Sequence, residues 1–142
     1  MDVFLANEQD VPVDETRLAQ LARHALTSED VDDGAQLSIL LVTSDHIHRL
    51  NGRFAGDDYP TDVLAFPMME DDEENGLLLG DVVVCPSIAQ ENAAKLGHPL
   101  GHELENLVVH GTLHLLGYDH QGPKDKSKMD KRVKELLDTF TP

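Results

Sequence analysis

The stretch 101–116 restricts the fold more than any other part of the sequence, because it is long and apolar enough to form a central helix. Gly117 follows it, and glycine readily adopts the left-handed conformation that ends a helix. His110 and His114 are four residues apart, so their rings lie one turn apart, about 6 Å along the axis, on one helix face. Beyond Gly117 the chain can turn back and offer His120. The sequence therefore predicts a helix that carries a three-histidine cluster.

Three imidazoles predict a divalent metal site with one open coordination position, which is typical of catalytic zinc. The spacing matches that of zinc peptidases with the HExxHxxGxxH motif, but Gly111 stands where those enzymes carry their glutamate base. A peptidase is therefore disfavoured. Glycine inside a helix costs about 1 kcal/mol relative to alanine, so we expect a close approach of another element at Gly111. The alternative is three unrelated histidines on a core helix, and nickel, copper and iron also suit imidazole ligands.

Four further polar residues lie near this helix in the sequence. His98 and His102 are also four residues apart, but a proline and a glycine lie between them and no helix is expected there. Glu103 is expected to be a buried hydrogen-bond partner in preference to a general base. Asp119 either orients the imidazole of His120 or is an ordinary turn residue.

The composition excludes several classes of protein. The chain has 142 residues, 40% of them hydrophobic, which is enough for one domain with a real core. Its net charge of -16 repels nucleic acid and anionic membranes. No segment approaches the ~20 apolar residues that span a bilayer, and no secretory signal is recognisable. A single cysteine, Cys85, excludes an internal disulfide and a four-cysteine zinc site, so a cytoplasmic protein is expected.

The positive charge is concentrated near the C-terminus. The stretch 121–134 holds six basic residues against Asp125 and Asp130. The basic residues are Lys124, Lys126, Lys128, Lys131, Arg132 and Lys134. This stretch is either a solvated helix face or an anion-binding patch beside the third histidine. The acidic run 70–74 is expected to be a solvated loop.

The alternation of apolar residues and turn residues predicts a mixed α+β domain. Strands are predicted at 3–6, 35–43, 61–66 and 78–85. Helices are predicted at 15–26, 44–53, 87–96, 101–116 and 124–140. Asp14 and Ser44 are the expected N-caps, and Pro67 is expected to end the third strand. Because the last two strands have no helix between them, we expect one compact domain over 1–142 with a mixed sheet of about four strands.

Three sequence blocks together resemble a known family. The block HGTLHLLGYDH, preceded by LGDVVVCP and PTDVLAFP, is similar to the YbeY family of bacterial rRNA maturation factors, which are zinc-dependent endoribonucleases. The resemblance implies a compact α+β domain with a zincin-like metal helix. It implies one zinc ion held by His110, His114 and His120. It also implies trimming of rRNA, notably at the small-subunit 3′ end, and a role in ribosome quality control.

One position departs from the family pattern. Many members carry an arginine one residue before the glycine that corresponds to Gly56, and this chain has Ala55 there. No catalytic role is therefore transferred to that position. We expect the positive charge that binds the substrate phosphate to come from zinc, from Arg53 or from the basic stretch 121–134.

The expected reaction is metal-assisted phosphodiester cleavage, with either hydroxide or the substrate's own 2′-OH as the nucleophile. Single-stranded rRNA is the expected partner, since its backbone and bases are accessible. Only 4% of the residues are aromatic, so base stacking is a poor source of affinity, and recruitment by the ribosome or a ribosomal protein is expected. Neither a membrane nor an organic cofactor is expected. Two alternatives stay open: a non-hydrolytic ribosome assembly factor with a structural metal, and a metal-dependent hydrolase of another substrate.

Overall fold

One mixed four-stranded sheet organises the computed structural model, which describes residues 1–56, 61–72, 76–118 and 122–141. The strands are β1 (Asp2–Asn7), β2 (Gln36–Leu41), β3 (Val63–Asp72) and β4 (Gly76–Val84). Their order across the sheet is β1-β2-β4-β3. The first three strands in this order run parallel, and β3 pairs with β4 in the antiparallel sense. The predicted α+β class and the mixed sheet of four strands are therefore confirmed.

The described residues form five α-helices, which pack against the sheet or against one another. They are α1 (Glu15–Ser28), α2 (Ser44–Leu50), α3 (Pro86–Leu96), α4 (Leu100–Leu115) and α5 (Pro123–Thr139). All five match the predicted helices to within a few residues. None of them, over the part of the chain that the structure describes, combines the length and low charge needed to cross a membrane.

The two faces of the sheet are covered differently. On one face α1 and α4 bury the main core, which includes Leu26, Ile39, Val82 and Val108. Helix α5 lies against α1 and α4 through a second apolar cluster that includes Met129. On the opposite face α2 covers a smaller cluster. Helix α4 therefore packs against the sheet on one side and against α5 on another.

The prediction that the third strand ends at Pro67 was wrong. Strand β3 continues to Asp72, so Glu70 and its two acidic neighbours belong to a strand and not to the expected loop. Proline is tolerated because β3 is the edge strand of the sheet and its register shifts between Pro67 and Glu70. The facing residue is Gly80, with φ of 138°, where an added Cβ would lie 2.2 Å from the carbonyl oxygen of Phe66. The remaining residues of the acidic run, 73 and 74, lie outside the described residues.

Side-chain oxygens cap two helices. Asp14 Oδ1 accepts a hydrogen bond from the backbone N–H of Arg17 at 3.1 Å, as expected for the cap of α1. The cap of α2 is Thr43, whose Oγ1 accepts from His46 N–H at 3.2 Å, and Ser44 is the first helical residue. The prediction of Ser44 was wrong by one residue because both hydroxyl residues suit this position. The predicted helix 44–53 in fact changes at 51–55 into a π-helical turn.

Asp81 lies on the α2 face of the sheet, where it lines a cavity of about 350 Å³ with His46, Phe54 and Phe66 among others. Burial raises the pKa of this carboxyl above its usual value of 3.8. The folded state therefore binds the proton more tightly than the unfolded chain, and its stability falls as the pH rises through the raised pKa.

We expect Asp81→Asn to raise the free energy of unfolding at neutral pH, because it removes a half-buried charge. The gain should vanish below the pKa of the unfolded carboxyl, where the parent residue is also neutral. Urea unfolding of both proteins at a series of pH values measures this difference. An equal loss of stability at all pH values would show that Asp81 makes favourable contacts that do not depend on its charge and that an amide cannot replace.

Candidate functional site

His110 and His114 lie in one cleft between α4 and the start of β3. The cleft has a volume of about 340 Å³. We call it the histidine cleft, and it is lined by Thr61, Asp62, Val63, Leu64, Ala65, His110, Gly111 and His114. The two histidines are one turn apart on α4, and the Nδ1 atom of His114 is buried. The structure therefore brings this predicted pair to one wall of a single cleft.

The close approach expected at Gly111 is confirmed. A Cβ added there would lie 2.7 Å from Cγ1 of Val82 and 3.6 Å from Cγ2 of Val63. Position 111 thus points at the sheet, and α4 lies closer to it than a side chain would permit. This contact sets the depth at which the flanking histidines sit beside β3.

The third predicted ligand, His120, and its neighbour Asp119 lie outside the described residues. The helix end before them is described: Leu116 is the C-cap, and Gly117 has a φ of 102°, as the sequence predicts for a glycine stop. The N–H of Tyr118 then donates to the carbonyl of Leu113 at 3.1 Å. The chain therefore turns back immediately after α4.

Tyr118 is fixed by contacts with two other helices. Its hydroxyl donates to Glu29 Oε1 at 3.0 Å, and Arg132 Nε on α5 donates to the same oxygen at 2.7 Å. Burial raises the pKa of the Tyr118 hydroxyl above its usual value, and the hydrogen bond to Glu29 raises it further. These contacts fix the point from which the chain continues into residues 119–121.

The donor set of the histidine cleft fits zinc. Imidazole nitrogen is a preferred zinc donor, and an i, i+4 pair on one helix face can converge on one ion. Within the described ranges no three His, Cys, Asp or Glu side chains are grouped closely enough to hold a metal. His120, which lies outside those ranges, stays the prediction for the third ligand.

Asp62 was not singled out in the sequence, although it lies in the PTDVLAFP block. It contributes the only carboxylate among the described residues that line the histidine cleft. Its Oδ2 accepts a hydrogen bond from Asn92 Nδ2 at 3.1 Å, which fixes its orientation from α3. Such a carboxylate can accept a proton or a hydrogen bond from a water or hydroxyl group in the cleft.

Glu103 is a buried hydrogen-bond partner, as expected. Its Oε2 lies 2.5 Å from Nε2 of His98, and only 7% of the residue is exposed. No helix of the described residues contains both His98 and His102, as expected, because α3 ends at Leu96 and α4 begins at Leu100. The two rings nevertheless contact each other, with centroids 4.9 Å apart in a T-shaped arrangement.

The basic residues of α5 divide into paired and unpaired groups. Arg132 forms ion pairs with Glu29 and Glu135, at 2.7 and 3.0 Å, and Lys126 pairs with Asp130 at 3.2 Å. Because these charges are neutralised locally, only some of the basic stretch is available to an anion.

Lys134 lies in a second cavity, of about 420 Å³, between α4 and α5. We call it the α4–α5 groove, and it is lined by His102, Asn106, His110, Asp130, Val133, Lys134, Leu137 and Asp138. Arg53, the other expected phosphate ligand, lies elsewhere: its guanidinium is 5.4 Å from the ring centroid of Phe54, which lines the cavity on the α2 face.

Comparison with known proteins gives consistent relatives over nearly the whole chain. Residues 4–141 match the family model described as Endoribonuclease YbeY. A protein from Salinispora tropica named Endoribonuclease YbeY is 44% identical over 96% of this chain and 94% of its own length. Another of that name, from Rhodococcus opacus, is 43% identical over 99% of this chain and 82% of its own length.

A solved structure supports the same relationship. The solution structure of TM1509 from Thermotoga maritima is 32% identical in sequence and superimposes with a TM-score of 0.61. The match covers 96% of this chain and 89% of the other. Sequence identity and fold thus agree along the same length of chain. The chain belongs to the Endoribonuclease YbeY family.

Proposed function

We propose that this chain is a zinc-dependent endoribonuclease that cleaves single-stranded rRNA. The observation that carries the proposal is the shared cleft of His110, His114 and Asp62, in a chain whose family is named for endoribonuclease activity. Two imidazoles can serve as donors to a metal, and a carboxylate held in place by Asn92 can accept a proton, which are both roles in metal-assisted phosphodiester cleavage.

His110 and His114 would hold the zinc ion together with His120. When bound, zinc supplies a Lewis acid that polarises a phosphoryl oxygen and lowers the pKa of water. Asp62 lies on the opposite wall, on the β3 side. Since its Oδ2 is held by Asn92, its Oδ1 accepts the hydrogen bond, and then the proton, of the attacking hydroxyl or water.

The net charge of the chain and the accessibility of the histidine cleft support single-stranded RNA as the substrate. A protein with a net charge of -16 gains little affinity for RNA from its overall field, so it acts on RNA that is presented by the ribosome or by a ribosomal protein. Single-stranded segments fit an open cleft on the flank of α4, because their backbone can enter without a partner strand. Membership of the YbeY family, and neither charge nor access, is the basis on which we propose small-subunit rRNA 3′ end processing and ribosome quality control as the biological role.

The test is cleavage of a precursor fragment that carries the small-subunit rRNA 3′ end. We expect the zinc-loaded chain to cut the single-stranded fragment and to leave the same sequence intact when it is annealed to its complement. His114→Ala, purified in parallel, should be inactive and so controls for contaminating nucleases.

Two results would favour the alternatives. Binding of the fragment without cleavage, by protein that holds zinc, would favour an assembly factor with a structural metal. Absence of both binding and cleavage, with retained zinc, would favour a hydrolase of another substrate.

A further inference from the structure

The α4–α5 groove is built from one stripe of each helix. His102, Asn106 and His110 recur every four residues on α4, and the α5 wall repeats in the same way through Asp130, Lys134 and Asp138. Eight residues of helix span about 12 Å, so the groove is long enough for more than a single small ion. Its volume of about 420 Å³ lies within the range of small-molecule sites.

The groove adjoins the histidine cleft at one residue. His110 lines both cavities, so a single side chain separates the groove beside α5 from the cleft beside β3. An extended substrate whose reacting bond lies at His110 and His114 therefore comes close to the groove on its way along α4. The relevance of this proximity rests on the proposed function, since it concerns what the same RNA strand does next to the bond that is cut.

The lining combines an apolar floor with a polar rim. Val133 is buried and Leu137 half-buried, and both belong to the apolar cluster beneath α5. Asn106 offers an amide that can both donate and accept, and Lys134 offers an ammonium group. A planar base can cover the apolar floor while its edge bonds to the amide, and a phosphate can reach the ammonium.

Lys134 is the cation that is available in this groove. It is exposed and forms no ion pair with any residue that the structure describes, whereas Lys126 is paired with Asp130. Asp130, one turn before Lys134, is paired with Lys126, whereas Asp138, one turn after it, repels a further phosphate on that side. The charge pattern therefore suits a single phosphate group at Lys134.

His102, at the end of the groove away from the histidine cleft, is positioned through contacts that lead to a buried carboxylate. The ring of His102 contacts the ring of His98, which in turn bonds to the buried carboxylate of Glu103. A side chain that is positioned in this way binds a ligand with a smaller loss of conformational freedom.

We propose that the α4–α5 groove binds a nucleotide that flanks the scissile bond of the RNA, with Lys134 contacting its phosphate. The base covers Val133 and Leu137, and Asn106 reads its edge. The groove thus extends the substrate contact from the reacting phosphate to a neighbouring nucleotide.

The test compares Lys134→Gln with Lys131→Gln, which removes the same charge from an exposed residue of α5 that lines neither the α4–α5 groove nor the histidine cleft. Binding of a fluorescent single-stranded 2′-O-methyl oligoribonucleotide is measured by anisotropy at several salt concentrations. Lys134→Gln should weaken binding by about fivefold and reduce the slope of log K against log salt by about 0.7, whereas Lys131→Gln should leave both unchanged. Asn106→Ala should weaken binding without changing the slope, because it removes no charge.

The outcomes separate this inference from the proposed function. If the parent cleaves and binds RNA but the two lysine variants behave alike, the groove inference fails and the proposed function stands. If the parent neither binds nor cleaves any RNA, both fail. If sedimentation shows a parent dimer that Lys134→Gln dissociates, a second copy of the chain occupies the groove and the inference is overturned.

Discussion

Replacing His114 by alanine is expected to abolish stoichiometric zinc binding while the chain stays folded. The imidazole is one of two donors that α4 presents to the histidine cleft, and no other described residue of that cleft offers a nitrogen donor in its place. Removing a residue that merely orients a metal ligand typically lowers the metal affinity by up to about 100-fold. Removing His114 itself should lower the zinc affinity by more than that. Competition with a chelating dye measures the affinity, and elemental analysis measures the zinc content.

His24→Ala is the matched control for this experiment. His24 lies on α1, where its Nε2 is 3.0 Å from Thr139 Oγ1 and its ring packs against Phe140. Its replacement removes an imidazole far from the histidine cleft, so zinc content and RNA cleavage should stay at the parent level. Equal zinc affinity of His114→Ala and the parent would place the metal elsewhere and remove the basis of the proposed chemistry.

The local parts of the fold were predictable from the sequence. Helix α4 was recognised because its apolar residues recur at helical spacing and Gly117 is suited to a left-handed stop. The cap at Asp14 was recognised because its oxygen needs only the backbone three residues later. These features depend on neighbours along the chain, which a sequence displays directly.

The features that were missed depend on distant contacts. Pro67 stays within β3 because the facing position is Gly80 and because β3 pairs with a single strand in the part of the chain that the structure describes. Neither condition can be read from the residues around Pro67. The acidic run favours a loop when its residues are considered alone, and the pairing of Asp72 with Gly76 becomes visible only in the register of the hairpin.

The residues of the candidate site also fall into two groups, those that local sequence predicts and those that depend on distant contacts. The pair His110 and His114 follows from helical spacing alone, whereas Asp62 and Lys134 enter the site through the packing of β3 and α5 on either side of α4. No local pattern distinguishes Asp62 from other acidic residues, or Lys134 from other lysines of α5. Only the tertiary structure shows that these two residues lie beside α4.

Gly111→Glu should destabilise the chain by about 3 kcal/mol or more, because it forces a carboxylate against the buried Val82. Even the smaller Gly111→Ala should be destabilising by about 1 kcal/mol, since an overpacking cost of about 1–3 kcal/mol exceeds the gain of about 1 kcal/mol in helix propensity. Urea unfolding of metal-free protein measures both changes without a contribution from ligand binding.

Gly101→Glu provides the matched control in the same helix. Gly101 lies in the first turn of α4 and an added Cβ meets no atom within 4 Å, so this variant should gain about 0.5–1 kcal/mol in stability. A double-mutant cycle with Val82→Ala identifies the cause, because the smaller side chain should relieve Gly111→Ala by about 1 kcal/mol if the clash is with Val82. Additive effects of the two substitutions would contradict the close contact.

The Gly111→Glu variant also tests whether this site differs from that of the zinc peptidases. Gly111→Glu restores the HExxH pattern in sequence, yet position 111 points at the sheet and the added side chain starts from beneath α4, against Val82 and Val63. We therefore expect no gain of peptidase activity in the zinc-loaded variant, measured with a fluorogenic peptide. A measurable gain would require that α4 rotates away from the sheet, and it would contradict the packing of Gly111 that sets the depth of both histidines.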